Sequence, residues 1–189
     1  MSAKFPLTRT ANPVPAAERE AVLAAPGLGK YFTDHMTTAR WTAKDGWHDR
    51  KVSALVPFSL HPSTAVFHYA QEVFEGLKAY RHADGSVRLF RPEQNARRFA
   101  RSARRMGLPV LPEDDFLGGI DALIHADGQW IPTDIEEGCL YIRPFMFADE
   151  PFLGVRPAER VMYSVIASPA QPYFSSEIGG VTLWVTTSY

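Results

Sequence analysis

His68-Tyr-Ala-Gln-Glu-Val-Phe-Glu-Gly-Leu-Lys-Ala-Tyr-Arg81, then His82-Ala-Asp-Gly-Ser86 and Val87-Arg-Leu-Phe-Arg-Pro92, is the stretch whose reading decides the fold. Leu77–Arg81 and Val87–Phe90 read as two short strands, and Asp84-Gly85 between them supplies the positive-φ turn that a hairpin needs. Pro92 suits the first turn of a helix, where its missing N–H costs nothing. Ala96, Phe99, Ala103 and Met106 recur at spacings of three and four. That predicts a helix with one buried stripe, running to about Met106 and ended by Gly107 and Pro109. A second helix is predicted over Glu113–Ala126, with acidic residues at the positive end of its dipole and Phe116, Ile120, Leu123 and Ile124 as its stripe.

Towards the N-terminus, residues 1–30 are rich in Pro and Ala and read as an arm with one short helix, Ala16–Ala25. Tyr31 to Pro62 mixes aromatic and β-branched residues around Asp45-Gly46, which predicts short strands and turns. Towards the C-terminus, strands are predicted at Cys139–Phe147, Val161–Ala167 and Val181–Ser188. Ser168–Gly180, with its prolines, glycines and serines, has linker chemistry. The expected organisation is an arm (1–30), an α+β domain (31–167), a linker (168–180) and the first strand of a second, truncated domain (181–189). The sheet of the α+β domain is expected to be mixed, mostly antiparallel, with two helices.

The chain has 189 residues, is 46% hydrophobic and carries a net charge of −1. That supports a real core and excludes the sustained positive field of a general nucleic-acid or membrane-surface binder. With Cys139 as the one cysteine, neither an intrachain disulfide nor a Cys-rich zinc site can form. The N-terminus lacks the apolar core of a signal peptide, and no run of about 20 apolar residues could span a bilayer. A reducing, cytoplasmic setting is the expectation.

Six arginines lie between Arg91 and Arg105. Most read as a solvated helix face, but one could grip a dianionic phosphate, because a guanidinium forks onto phosphate oxygens as a lysine cannot. Spacing alone does not choose which. Tyr141 and Arg143 stand two apart on a predicted strand, so their side chains share a face. An arginine in the apolar run Leu140–Phe147 must either pair with a carboxylate or meet an anionic ligand. Glu75, before Gly76, reads as stabilising a tight turn. His35 and His68 lack the spacing of a zinc site, so no metal is expected. Cys139 reads as inert.

Taken together, the motifs resemble the branched-chain amino-acid aminotransferases, members of the fold-type IV group of pyridoxal-phosphate enzymes. They are His68-Tyr69, Phe74–Tyr80, Leu89–Pro92 with Asn95, Arg101-Ser102-Ala103, Leu140–Pro144, Glu150-Pro151, Leu153-Gly154-Val155, and Pro169 with Tyr173-Phe174. Near the start, Gly29-Lys30 and Phe32–Met36 match as well. The resemblance covers residues 28–189 and corresponds to the N-terminal half of such an enzyme.

The resemblance implies that Arg98 holds the phosphate of pyridoxal 5'-phosphate, and that Phe74, Tyr141 and Arg143 line the substrate pocket. Tyr69, Leu153 and Val155 would enter that pocket from the neighbouring subunit of a homodimer. Leu28 stands where the family often has an aromatic pocket residue. The implied substrates are leucine, isoleucine or valine with 2-oxoglutarate, as in branched-chain amino-acid biosynthesis. An apolar wall for the aliphatic group and an arginine with tyrosine hydroxyls for a carboxylate suit that pair. The Schiff-base lysine of the family is expected beyond Tyr189, so the 189 residues are expected to be inactive alone. The alternatives are another fold-type IV enzyme, acting on D-amino acids or as an aminodeoxychorismate lyase, and a non-catalytic dimerisation module.

Overall fold

The computed structural model describes residues 4–133, 138–172 and 182–187. A short helix, α1 (Ala16–Ala24), lies within the arm; none of its residues is fully buried, and Val22 and Leu23 pack partly buried against the core. Strands β1 (His35–Thr42) and β2 (Gly46–Ala54) then form a hairpin longer than the short strands expected there. Its turn places Gly46 at φ 67°, and the Thr42 hydroxyl both donates to the Asp45 carboxylate and accepts the Asp45 N–H. Two small elements that the pattern did not predict follow, α2 (Ala65–Tyr69) and β3 (Glu72–Phe74).

The decisive stretch folds as read. β4 (Leu77–Arg81) and β5 (Val87–Leu89) pair across a turn that holds Gly85 at φ 80°. Helix α3 runs Pro92–Arg105 and α4 Glu113–Asp127, followed by a 3-10 turn at Gly128–Trp130. Met106 departs from the predicted stripe and is 37% exposed. Gly107, at φ 66°, closes α3 with its N–H on the Arg104 carbonyl, while the Leu108 N–H reaches the Ala103 carbonyl. This left-handed termination turns Met106 outward and brings Leu108, 5% exposed, into the core instead.

Strands β6 (Cys139–Ala148) and β7 (Arg160–Ala170) complete the sheet. Its order is β2-β1-β7-β6-β4-β5, with β3 also on β6, and every strand pair among the described residues is antiparallel. The one parallel element there is an isolated bridge, Leu7–Val52, by which the arm joins the β2 edge. Phe5 of the arm is buried in the core. β7 extends through Ala170, so Ser168, Pro169 and Ala170 pair with Tyr141, Leu140 and Cys139 instead of starting a linker. The expected linker residues 173–180 lie outside the described residues, as do Val181 and Ser188 of the expected last strand. Residues 182–187 form no strand, and Leu183, Trp184 and Val185 are exposed. A strand needs a hydrogen-bonded neighbour, and this segment joins no ladder among the described residues.

Helices α3 and α4 cover one face of the sheet. Phe99, Phe116 and Tyr163 meet there, with ring centroids 5.3 to 6.4 Å apart. On β6, Leu140, Ile142, Met146 and Ala148 join that core, while Tyr141, Arg143, Phe145 and Phe147 alternate onto the other face. The sheet is pinned to α4 by a bulge in β2. Asp49 and Arg50 together oppose Ala39, and Asp49 takes φ 52°. The bulge aims Arg50 at the buried Asp115, which it grips at 2.6 and 2.7 Å.

Candidate active site

β3 and β4 share one continuous register on β6, from Phe74 opposite Phe145 to Leu77 opposite Ile142. Named pairing lapses at Glu75-Gly76, where Pro144 has no N–H to donate; the Pro144 carbonyl still accepts the Glu75 N–H at 2.8 Å. Alternation puts Val73, Glu75 and Leu77 on the helix-covered face and Phe74 and Gly76 on the other.

On that second face Phe74, Tyr141 and Arg143 come together. The Arg143 guanidinium donates from Nη2 and Nε to the Tyr141 hydroxyl at 2.7 and 3.2 Å. It also lies 4.4 Å from the centre of the Phe74 ring. Gly76 sits so close that a Cβ there would lie 2.5 Å from the Tyr141 hydroxyl. No carboxylate among the described residues pairs with Arg143. Tyr141 and Arg143 line a cavity of about 290 Å³ with Leu28, Gly29, Phe32, Ile166, Ala167 and Ser168. Its wall is mostly apolar, with the arginine and tyrosine as polar features. The Ser168 hydroxyl accepts the Gly29 N–H at 3.0 Å and so fixes the loop that carries Leu28.

Arg98 projects from α3 on the helix-covered side and is 60% exposed at its side chain. Its Nε and Nη2 grip the two Glu75 oxygens at 2.5 and 2.7 Å. Asn95 Nδ2 donates to the same carboxylate at 2.8 Å and to the Gly76 carbonyl at 3.3 Å. Burial pushes the Glu75 carboxyl up, but hydrogen bonds from Arg98 and Asn95 outweigh it and hold it below the ordinary value. The pairing raises Arg98. Glu75 is therefore the partner of Arg98, and the turn-stabilising role read from the sequence is secondary. The signal was present: an alternation that places a carboxylate between buried Val73 and Leu77 requires a cation for it.

The side-on edge of Arg98 is thus occupied. A guanidinium has five N–H donors, and this pairing leaves the end-on edge, formed by Nη1 and the second Nη2 hydrogen, without a partner among the described residues. That edge can still fork onto two oxygens of one anion, so the residue fits a phosphate.

Tyr69, Leu153 and Val155 do not join Phe74, Tyr141 and Arg143. Tyr69 and Val155 line a separate groove with Gln71, Met106, Gly107, Gly154, Arg156 and Pro157. Leu153 and Val155 are exposed, and Tyr69 packs on Phe152. His35 is a structural residue: Nδ1 bonds the buried Asp127 at 2.6 Å and Nε2 accepts the Thr10 N–H at 3.0 Å. His68 bonds the Pro62 carbonyl. No cluster able to hold a metal stands among the described residues. Cys139 is fully buried, and burial pushes its thiol up. No helix among them is long and apolar enough to cross a membrane.

The fold has a counterpart of known class. A branched-chain aminotransferase from Thermoproteus uzoniensis, solved with norvaline, superimposes with a TM-score of 0.57 at 20% identity, over 75% of this chain and 43% of that one. The sheet and its two helices therefore share the fold of that protein over this part of the chain. In sequence, the chain is 52% identical over 180 residues to a probable branched-chain-amino-acid aminotransferase of Streptomyces coelicolor, covering 95% of this chain and 50% of that protein. It is 50% identical over 188 residues to the branched-chain-amino-acid aminotransferase of Mycobacterium tuberculosis, covering all of this chain and 51% of that protein. No protein-family profile matches. The chain belongs to the branched-chain-amino-acid aminotransferase family as its N-terminal half, and it spans about half the length of the curated relatives it matches.

Proposed function

We propose that the chain is the pocket-forming half of a branched-chain L-amino-acid aminotransferase, which moves the amino group of leucine, isoleucine or valine to 2-oxoglutarate. The observation that carries this reading is Arg143, held by Tyr141 and Phe74 at the wall of an apolar cavity. One pocket must take an aliphatic chain in one half-reaction and a second carboxylate in the other. Leu28, Phe32 and Ile166 offer the apolar surface; Arg143, backed by the Phe74 ring, and the Tyr141 hydroxyl receive the carboxylate. Because Arg143 already bonds Tyr141, both donors arrive pre-oriented, which lowers the ordering cost of binding.

Arg98 would hold the phosphate of pyridoxal 5'-phosphate through its end-on edge. When bound, that cofactor supplies the electron sink for chemistry at the amino-acid Cα. Tyr69, Leu153 and Val155, exposed and remote from Arg143 within one chain, would complete the pocket of a second copy in a homodimer. The remaining machinery, the lysine nucleophile included, belongs to a following large domain beyond the linker. The setting would be the cytoplasm.

The test is amino-donor profiling of the full-length gene product with 2-oxoglutarate. L-Leucine, L-isoleucine and L-valine should be turned over with the appearance of glutamate. Turnover of D-alanine with none of L-leucine would reject the assignment in favour of a D-amino-acid enzyme of the same fold.

A further inference from the structure

We infer that Glu75, buttressed by Asn95, is the positioning residue of the anion site: it holds Arg98 by one edge so that the other edge faces the ligand. The inference rests on the reading of Arg98 as the phosphate anchor and deepens it. A long arginine on a helix surface samples many rotamers, and ordering one on ligand binding costs side-chain entropy. Here that freedom is already spent. Glu75 is 4% exposed, is fixed in the strand pair by its N–H on the Pro144 carbonyl, and meets Arg98 side-on with both oxygens. Asn95, one helical turn before Arg98, ties the same carboxylate to α3.

Five of the six arginines between Arg91 and Arg105 lack such a clamp among the described residues; Arg97 has only a 3.8 Å approach to Glu113. This distinguishes Arg98 from its neighbours on structural grounds, which arginine spacing could not do. Asn95 also donates to the Gly76 carbonyl, and Gly76 rests against the Tyr141 hydroxyl. The Glu75-Gly76 step therefore sets the position of the anion-binding edge relative to the Tyr141–Arg143 pair on the opposite face.

The test uses the full-length enzyme freed of cofactor. Affinities for pyridoxal 5'-phosphate and for phosphate-free pyridoxal are measured by fluorescence quenching, and their ratio defines a phosphate preference. The variants are Arg98→Ala, Glu75→Gln, Glu75→Asp and the double Glu75→Gln/Arg98→Ala. Glu75→Gln should lower the preference about tenfold, the scale on which an outer-shell partner acts, with pyridoxal affinity unchanged. Glu75→Asp should restore part of it, and Glu75→Gln should add nothing in the Arg98→Ala background. A wild-type preference in Arg98→Ala would overturn the reading of Arg98 itself. A preference lost in Arg98→Ala but kept in Glu75→Gln would overturn the role of Glu75 alone. If Glu75→Gln does not fold, Asn95→Ala decides: a fall in phosphate preference of about threefold supports the clamp, and no fall overturns it.

Discussion

Arg143 donates two hydrogen bonds to the hydroxyl of Tyr141, its neighbour two residues back on the same strand and face. The hydroxyl oxygen thereby accepts from the guanidinium, and its own proton is left to donate to a ligand. In the full-length enzyme Tyr141→Phe should therefore raise KM for 2-oxoglutarate by about tenfold, the worth of one hydrogen bond to a charged group. KM for L-leucine should rise less, because its side chain brings no second carboxylate. Equal rises for both, measured by steady-state kinetics, would place the pair outside the second carboxylate's subsite.

The Arg50–Asp115 pair gives a stability prediction. Asp115 is 2% exposed, and Arg50 reaches it only because the β2 bulge turns it towards α4. Arg50→Met leaves a buried carboxylate without its cation and should destabilise the protein by about 3 kcal/mol in urea unfolding. Replacing both residues, Arg50→Met with Asp115→Leu, should recover most of that loss, because no uncompensated charge then remains.

The depressed Glu75 carboxyl fixes the sign of one pH effect. A group whose acidity is strengthened by folding stabilises the protein above its ordinary value of 4.5, and the stabilisation is lost as pH falls through the depressed folded value. The difference in unfolding midpoint between the protein and Glu75→Gln should thus be largest near neutrality and shrink at pH values below about 4. A difference that grows on acidification would contradict the Arg98 and Asn95 bonds as its cause.

Legibility in the sequence followed the range of the interactions. α3, α4, β4, β5 and β6 were readable because periodicity, Pro92, Gly85 and Gly107 act within a few residues. The shared face of Tyr141 and Arg143 was readable for the same reason. Met106 was misplaced because a left-handed helix end rotates the chain out of the helical period. β3 is three residues long, and it exists by pairing with Phe145–Phe147, far along the chain. The Glu75–Arg98 contact joins the β3–β4 junction to a helix residue 23 positions on, so only the burial of Glu75 hinted at it. The separation of Tyr69 and Val155 from Arg143 required the folded sheet.

Gly76 supplies the last prediction. Its backbone is not in the left-handed region, so the constraint is the space above Cα and not its conformation. A methyl group there would meet the Tyr141 hydroxyl at 2.5 Å and two further ring atoms at 3.2 Å. The tyrosine cannot yield freely, because Arg143 holds its hydroxyl and Phe74 backs the arginine. Gly76→Ala should therefore cost about 1–3 kcal/mol of stability, the usual range for overpacking, measurable by urea unfolding. It should also raise KM for 2-oxoglutarate, since moving the hydroxyl breaks the geometry that aims Arg143. Removing the ring removes the clash, so Tyr141→Leu should abolish the stability cost of Gly76→Ala. A cost that persists in that background would show that the alanine strains the Glu75-Gly76 backbone instead.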